Sequence, residues 1–364
     1  MLSYIRKYSA TSLDPKHIPS FARFILLCLS KIYGVLVTLR NFAFRKKWKK
    51  IQKLPGRTIS IGNLVVGGTG KSPFVIHTAK YLQSRGFRPA IVARGYKSHL
   101  SKDESMVLLN GEVLISPERS KKAHPDEAMM QSQELNDVPI VVGGQRYEAV
   151  QRFLKHKPEI SDRIDYWILD DGFQHQQLAR DFDIVLLDSQ SPVGNDFLLP
   201  LGTLREPVSG VKRATALFYT RSDEDVPNEA NIARFKKLGF PDTFFAPMIV
   251  DQPLLVKGQA KKSISDPATK VAIVSAIARP ERFLDALHGQ GVTVSEKYFL
   301  PDHWTFEKQK LERLAKECDA LVTTAKDYWR DPLLFSEINT AVYILPIYFK
   351  IESEDLAKIY EEKA

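Results

Sequence analysis

From Arg57 onward, short and almost unbroken apolar runs alternate with stretches whose apolar residues recur at helical spacing. "RTISIGNL" (57–64), "RPAIVARGY" (88–96), "VPIVVGG" (138–144), "DYWILDDG" (165–172) and "FDIVLLDS" (182–189) read as strands. Continuous apolar strands are the mark of a sheet buried on both faces, hence parallel and covered by helices. After the first of them, Val75, Ile76, Ala79 and Leu82 recur at helical spacing, with Pro73 suited to a first turn and Gly86 past the end. Around Pro207–Arg213 the texture changes, and a second alternating set follows: "TALFYTR", "FFAPMIV", "KVAIVSAI", "VTVSEKYF", "ALVTTAK" and "AVYILPIYF". The expected fold is α/β: a P-loop-type parallel sheet domain over 58–210 and a second, smaller α/β domain over 211–364. "PMIVDQPLLVKG" (247–258) reads as a ribbon between or beside them.

Residues 1–57 are different in kind. "FARFILLCLSKIYGVLVTLRNFAF" (21–44) is strongly apolar and runs into "RKKWKK". At 100° per residue, Arg23, Ser30, Lys31, Gly34, Thr38 and Asn41 share one arc of about 100°, leaving a broad apolar face. A narrow polar stripe and a basic flank suit a helix seated in a membrane interface. A core helix is the plainer alternative. A span would place Lys31 in mid-bilayer at about 2.5–3.5 kcal/mol. A signal peptide fits poorly, because the run starts late and no small-residue cleavage site follows.

Charge sharpens this picture. The net charge of +9 is concentrated at the start: residues 1–57 hold thirteen Lys and Arg against one acid, Asp14, and the other 307 residues hold 39 basic against 42 acidic. A near-neutral body argues against nucleic acid, and a local basic patch suits an anionic surface. Cys28 and Cys318 match no metal or redox spacing, so a reducing compartment is expected.

The candidate chemistry starts at Gly67-Gly68-Thr69-Gly70-Lys71-Ser72, between a strand and a helix. The pattern G-x-x-x-x-G-K-[ST] asks for glycine six residues before the lysine, where Val65 stands. The chemistry survives, because backbone N–H groups of Val65–Ser72 and the helix start do most of the anion binding. Lys71 would reach the β- and γ-phosphates of a nucleoside triphosphate and the Ser72 hydroxyl would bind Mg²⁺. Asp170-Asp171, ending an apolar strand, supplies carboxylates for the metal; an ordinary acidic turn is the bland alternative. Asp126 and Glu127 head a helix, where acids commonly just complement the dipole. The Asp302-His303 pair follows a strand, where a histidine is usually structural.

These pieces together resemble a known family, tetraacyldisaccharide 4'-kinase, the lipid A 4'-kinase of Gram-negative bacteria. The matching stretches are "GNLVVGGTGKSP", "ARGY", "PDEAMM", "GGQRYEAV", "LDDGFQHQQLARDFDIVLLD", "GNDFLLPLGTLREP", "LPDHWTF" and "VTTAKD". "DDGFQH" followed by "LLPxGxLREP" is highly specific, and the absence of glycine at residue 65 is usual in that family. The resemblance implies transfer of the ATP γ-phosphate to the 4'-hydroxyl of an acylated glucosamine disaccharide 1-phosphate. It implies a peripheral enzyme on the cytoplasmic face of the inner membrane; no obligate protein partner is evident. It places the metal at Asp170 and Asp171, a catalytic pair at Asp126 and His303, and Gln174 and His175 nearby. Arg94, Arg146 and Arg205 could meet the acceptor's 1-phosphate or serve as structural ion pairs, and Glu127 stands beside Asp126.

The sequence departs from the family pattern at Trp304, where a second histidine is common, and at Pro125, where glycine is common. Ser72 stands for the commoner threonine. The rivals are a GTPase, a metallochaperone and a membrane-tethered nucleotide switch. "TTAKD" sets Lys326 and Asp327 side by side, without the gap of a guanine-reading motif, and no Cys/His cluster suits a metallochaperone.

Overall fold

The computed structural model describes residues 19–95, 100–101, 103–117, 125–220, 229–240, 243–260, 262–277, 280–302 and 304–361. After the N-terminal helix Ser20–Arg45 come strands β1 (Arg57–Asn63), β2 (Pro89–Ala93), β3 (Ser105–Leu109), β4 (Glu112–Ile115), β5 (Ile140–Gly143), β6 (Tyr166–Asp170), β7 (Phe182–Asp188), β8 (Ala216–Thr220) and β9 (Phe244–Ala246). They form one nine-stranded sheet in the order β4-β3-β5-β2-β6-β1-β7-β8-β9. All its pairs are parallel except those made by β3, which runs antiparallel to both neighbours. Alternate residues serve opposite cores. Ile59, Tyr166 and Ile168 pack with the helix Lys71–Ser84, while Trp167 and Leu169 pack with Val150 and Phe153 of the helix Arg146–His156. Burial on both faces is why these strands read as unbroken apolar runs.

The boundary expected at residue 210 is displaced. β8 and β9, read as the start of the second set, pair in parallel onto β7 and extend the first sheet to Ala246. The second sheet comprises β11 (Leu254–Lys257), β12 (Val271–Ser275), β13 (Val294–Phe299), β14 (Ala320–Thr324) and β15 (Ala341–Leu345), in the order β11-β15-β14-β12-β13. The ribbon expected over 247–258 is divided: β10 (Met248–Val250) pairs antiparallel with β16 (Ile347–Phe349), and β11 edges the second sheet. The chain then returns, because Leu356, Ile359 and Tyr360 of the helix Ser353–Tyr360 are buried in the first core. The second unit is thus an insertion whose two ends, β10 and β16, sit together, and apolar texture alone could not separate two sheets of the same kind.

The N-terminal helix docks through its polar arc. Ser30 donates to the Leu198 carbonyl at 2.8 Å, Tyr33 to that of Arg205 at 2.7 Å, and Asn41 to Glu206 at 3.1 Å. At Gly34 a Cβ would lie 2.7 Å from the Leu198 side chain, so glycine permits this close approach. Arg23, Lys31 and Thr38 remain exposed. The opposite face is apolar and open to solvent, with Ile32, Leu36 and Leu39 each 57–61% exposed. A core helix is therefore not what forms.

Candidate active site

β1 lies centrally, and its carboxyl end opens into the phosphate loop. Along residues 64–66 the chain bridges to the segment ending at Arg205: the Val66 N–H donates to the Thr203 carbonyl and the Arg205 N–H to that of Leu64, both at 2.8 Å. Val65 bridges to Leu204, and its side chain is buried with Leu64, Phe173 and Leu204. This accounts for the missing glycine, because residue 65 is a packing position here. The turn needs glycine later, at Gly67 (φ 120°) and Gly70 (φ 81°). A Cβ at Gly70 would also come within 2.6 Å of the Phe349 ring. Buried Asn63 braces the loop, donating to the Thr69 hydroxyl at 3.0 Å, and the Thr220 hydroxyl donates to the Thr69 carbonyl at 3.1 Å. The helix starting at Lys71 has no side-chain cap, so the Lys71 and Ser72 N–H groups of its first turn are available to an anion.

Parallel pairing of β1 with β6 sets Ile61 opposite Asp170 and so brings the acid pair beside the loop. The two carboxyls differ. Asp170 is buried and accepts from the Gln131 amide at 2.7 Å; burial, then the nearby Glu127, pushes its pKa up to about 6. Asp171, in the left-handed region at φ 51°, meets Lys71 at 3.7 Å and Arg205 at 2.8 Å. Burial works against its ionisation, but these two cations hold it down to about 2. Arg146 is buried beneath the pair, donating to the backbone carbonyls of Asp170 and Asp171, and burial lowers its pKa to about 10. In this position it supports the acidic turn. Arg205 is likewise engaged, with Asp171 and, at 3.4 Å, with Gln174. Arg94 alone of the three is exposed.

Gln174 donates to the Asn63 carbonyl at 2.8 Å and to fully buried Glu206 at 3.0 Å, tying the turn after Asp171 to β1. His175 follows. Burial and the charges of Arg146, Arg180 and Arg94 push its pKa down to about 3. It thus stays neutral in the folded chain where the unfolded chain, near 6.5, takes up a proton. Its linkage therefore costs stability as pH falls from about 6.5 toward 3. We expect His175→Asn to lose less thermal stability than the parent between pH 7 and pH 5; parallel losses in unfolding scans would contradict this.

The other wall is built from two domains. Asp126 and Glu127 start the helix Asp126–Glu134, against which the short helix Ala325–Arg330 following β14 packs. Arg330 donates from Nε to Asp126 at 2.7 Å, and Lys326 pairs with Glu127 at 3.3 Å and Asp302 at 3.4 Å. His303 lies outside the described residues; its neighbour Trp304 offers its carbonyl to Arg330 at 2.9 Å.

Sequence reasoning missed Asn63, Gln131, Thr220, Glu206, Lys326 and Arg330 as site residues. Asn63 carried a signal, a polar residue ending an apolar strand just before the loop. Lys326 lay inside a quoted motif but had no role. Arg330 had no local signal, since its partner lies 204 residues away.

Comparison with known proteins joins these features. The family model described as tetraacyldisaccharide-1-P 4'-kinase matches residues 22–364. A tetraacyldisaccharide 4'-kinase of Elusimicrobium minutum is 32% identical over 360 residues, covering 94% of this chain and 91% of that protein. One from Chlorobium luteolum is 36% identical over 307 residues, covering 82% and 84%. Among solved structures, LpxK from Aquifex aeolicus in complex with ATP matches with a TM-score of 0.70 at 29% identity, over 93% of this chain and 98% of that one. With a phosphate loop and an acid pair meeting at the edge of β1 and a family match over nearly its whole length, the chain belongs to the tetraacyldisaccharide-1-phosphate 4'-kinase family.

Proposed function

We propose that the protein transfers the γ-phosphate of ATP to the 4'-hydroxyl of a tetraacyl glucosamine disaccharide 1-phosphate, a step in lipid A synthesis. The observation that carries this is the convergence of Lys71 and Asp171, 3.7 Å apart, at the uncapped helix start beside Asp170. In the transfer a bond forms between the sugar oxygen and the γ-phosphorus, and the bond to the bridging oxygen breaks. ADP leaves with that electron pair, and Asp126 takes the hydroxyl proton late in the step. Catalysis then rests on in-line positioning and charge neutralisation. Lys71 would exchange Asp171 for phosphate oxygens when the nucleotide enters. His303 is proposed to support Asp126 from the second domain, and Arg94 to meet the acceptor's anionic group.

The donor set fits Mg²⁺. The Ser72 hydroxyl and the carboxylates of Asp170 and Asp171 are hard oxygen ligands. Such a cation takes one or two carboxylates plus substrate phosphates rather than a dedicated protein cage. Bound there, the ion would neutralise charge on the phosphates. A GTPase reading is not favoured, because Lys326 and Asp327 are consumed in ion pairs at the domain contact.

The acceptor carries fatty chains, so the enzyme must work at a bilayer. The N-terminal helix is long and apolar enough to cross a membrane by length and composition. Its docked polar side and open apolar side suit a helix lying in the interface, with Arg45, Lys46, Lys47, Lys49 and Lys50 at its end adding about 1 kcal/mol each on anionic lipid. Dependence on ATP would put this surface on the cytoplasmic face of the inner membrane. The test is incubation of the full chain with labelled ATP, Mg²⁺ and acyl disaccharide 1-phosphate. Label should appear on the lipid; label that stays in ATP would end this reading.

A further inference from the structure

We propose that Arg330 is a positioning residue for phosphoryl transfer, acting through Asp126. This rests on the reading of Asp126 as the group that orients the acceptor hydroxyl. Arg330 lies on the second domain, at the end of the short helix Ala325–Arg330, and its side chain is nine-tenths buried. One guanidinium meets three groups from separate parts of the chain. Its Nε donates to Asp126 at 2.7 Å. Its Nη1 donates to the Trp304 carbonyl at 2.9 Å and lies 3.1 Å from the Asp327 carboxylate.

Asp327 is itself fixed. It is fully buried and accepts from the Thr324 hydroxyl at 2.8 Å and from the Ala276 N–H at 3.1 Å, at the carboxyl ends of β14 and β12. Arg330 is therefore anchored to the second sheet and reaches across to the first domain. Only Nε reaches Asp126, but Nη1 ties the rigid planar fork to Trp304 and Asp327, so the fork fixes where that one carboxylate oxygen is held, which a flexible ammonium does not. Through the same guanidinium the Trp304 carbonyl is linked to Asp126. Lys326, on the same helix, makes the parallel contact to Glu127, so the two cations clamp the start of the helix Asp126–Glu134 from the other domain.

The measurement is steady-state lipid phosphorylation by Arg330→Ala, Arg330→Lys and Asp126→Asn in the full chain, alongside binding of a fluorescent ATP analogue. We expect Arg330→Ala to lower kcat by about 10- to 100-fold, the scale for a misplaced reacting group, with nucleotide affinity within about twofold of the parent. Arg330→Lys should retain more turnover than Arg330→Ala. Added guanidinium should restore part of the loss in Arg330→Ala and none in Asp126→Asn. If Asp126→Asn is inactive while Arg330→Ala turns over like the parent, the assignment of Arg330 fails alone. If Arg330→Ala loses nucleotide binding in step with kcat and guanidinium restores nothing, its role is packing and the assignment also fails. Should Arg330→Ala not fold, parental kcat in Arg330→Lys would overturn the fork argument. If Asp126→Asn is fully active, the underlying reading of Asp126 falls first.

Discussion

Asp126→Asn should lower lipid phosphorylation by about 10²- to 10⁴-fold, the usual contribution of a positioned acid–base group. The asparagine keeps the shape of the side chain and can still meet Arg330, so the helix Asp126–Glu134 and its domain contact should persist. What disappears is a negative oxygen able to take a proton. With nucleotide binding assigned, in the function proposed above, to the loop and Lys71, it should be almost unaffected. The decisive comparison is kcat at saturating ATP and lipid against analogue affinity in the same preparation. A variant that turns over within a few-fold of the parent would remove Asp126 from the chemistry while leaving the family assignment untouched.

The second large effect concerns where the enzyme sits. Removing the whole N-terminal helix would be ambiguous, because it would also strip Leu198, Arg205 and Glu206 of partners. The open face offers a cleaner change: Ile32→Ser, Leu36→Ser and Leu39→Ser together. These side chains touch the protein little, and burying each in lipid contributes about 1.5–3 kcal/mol, on the order of 5 kcal/mol in all. Partitioning onto anionic vesicles should then fall by about 10³-fold or more, with ATP binding preserved. Sedimentation with phosphatidylglycerol vesicles reads this directly. An unchanged bound fraction would mean that the helix does not hold the protein to the bilayer.

These two expectations draw on different kinds of information. The loop at 67–72 was legible in the sequence because it is a contiguous piece whose local geometry its own residues impose, whereas the acid at residue 126, an ordinary helix-start acid by its local pattern, was singled out only by the family resemblance. Glycines at positive φ, an uncapped helix start and an apolar strand ending in two acids need no distant partner to be recognised. The helix face was legible only in part. Its polar arc was visible, but the arc marks the side that hydrogen-bonds Leu198 and Glu206, some 165 or more residues away.

By itself, then, the sequence determined an α/β chain of alternating strands and helices, a glycine-rich loop of the phosphate-binding type, acids at a strand end, and a basic apolar entry segment. Only the tertiary structure decided that β8 and β9 belong to the first sheet, that Arg146 lies under the acidic turn, and that Arg330 crosses between domains to Asp126. The physical reason is range. Hydrophobic period and turn chemistry act over a few residues, whereas sheet order and a buried cation's partner depend on which distant segments close upon each other, and many pairings share the same local pattern.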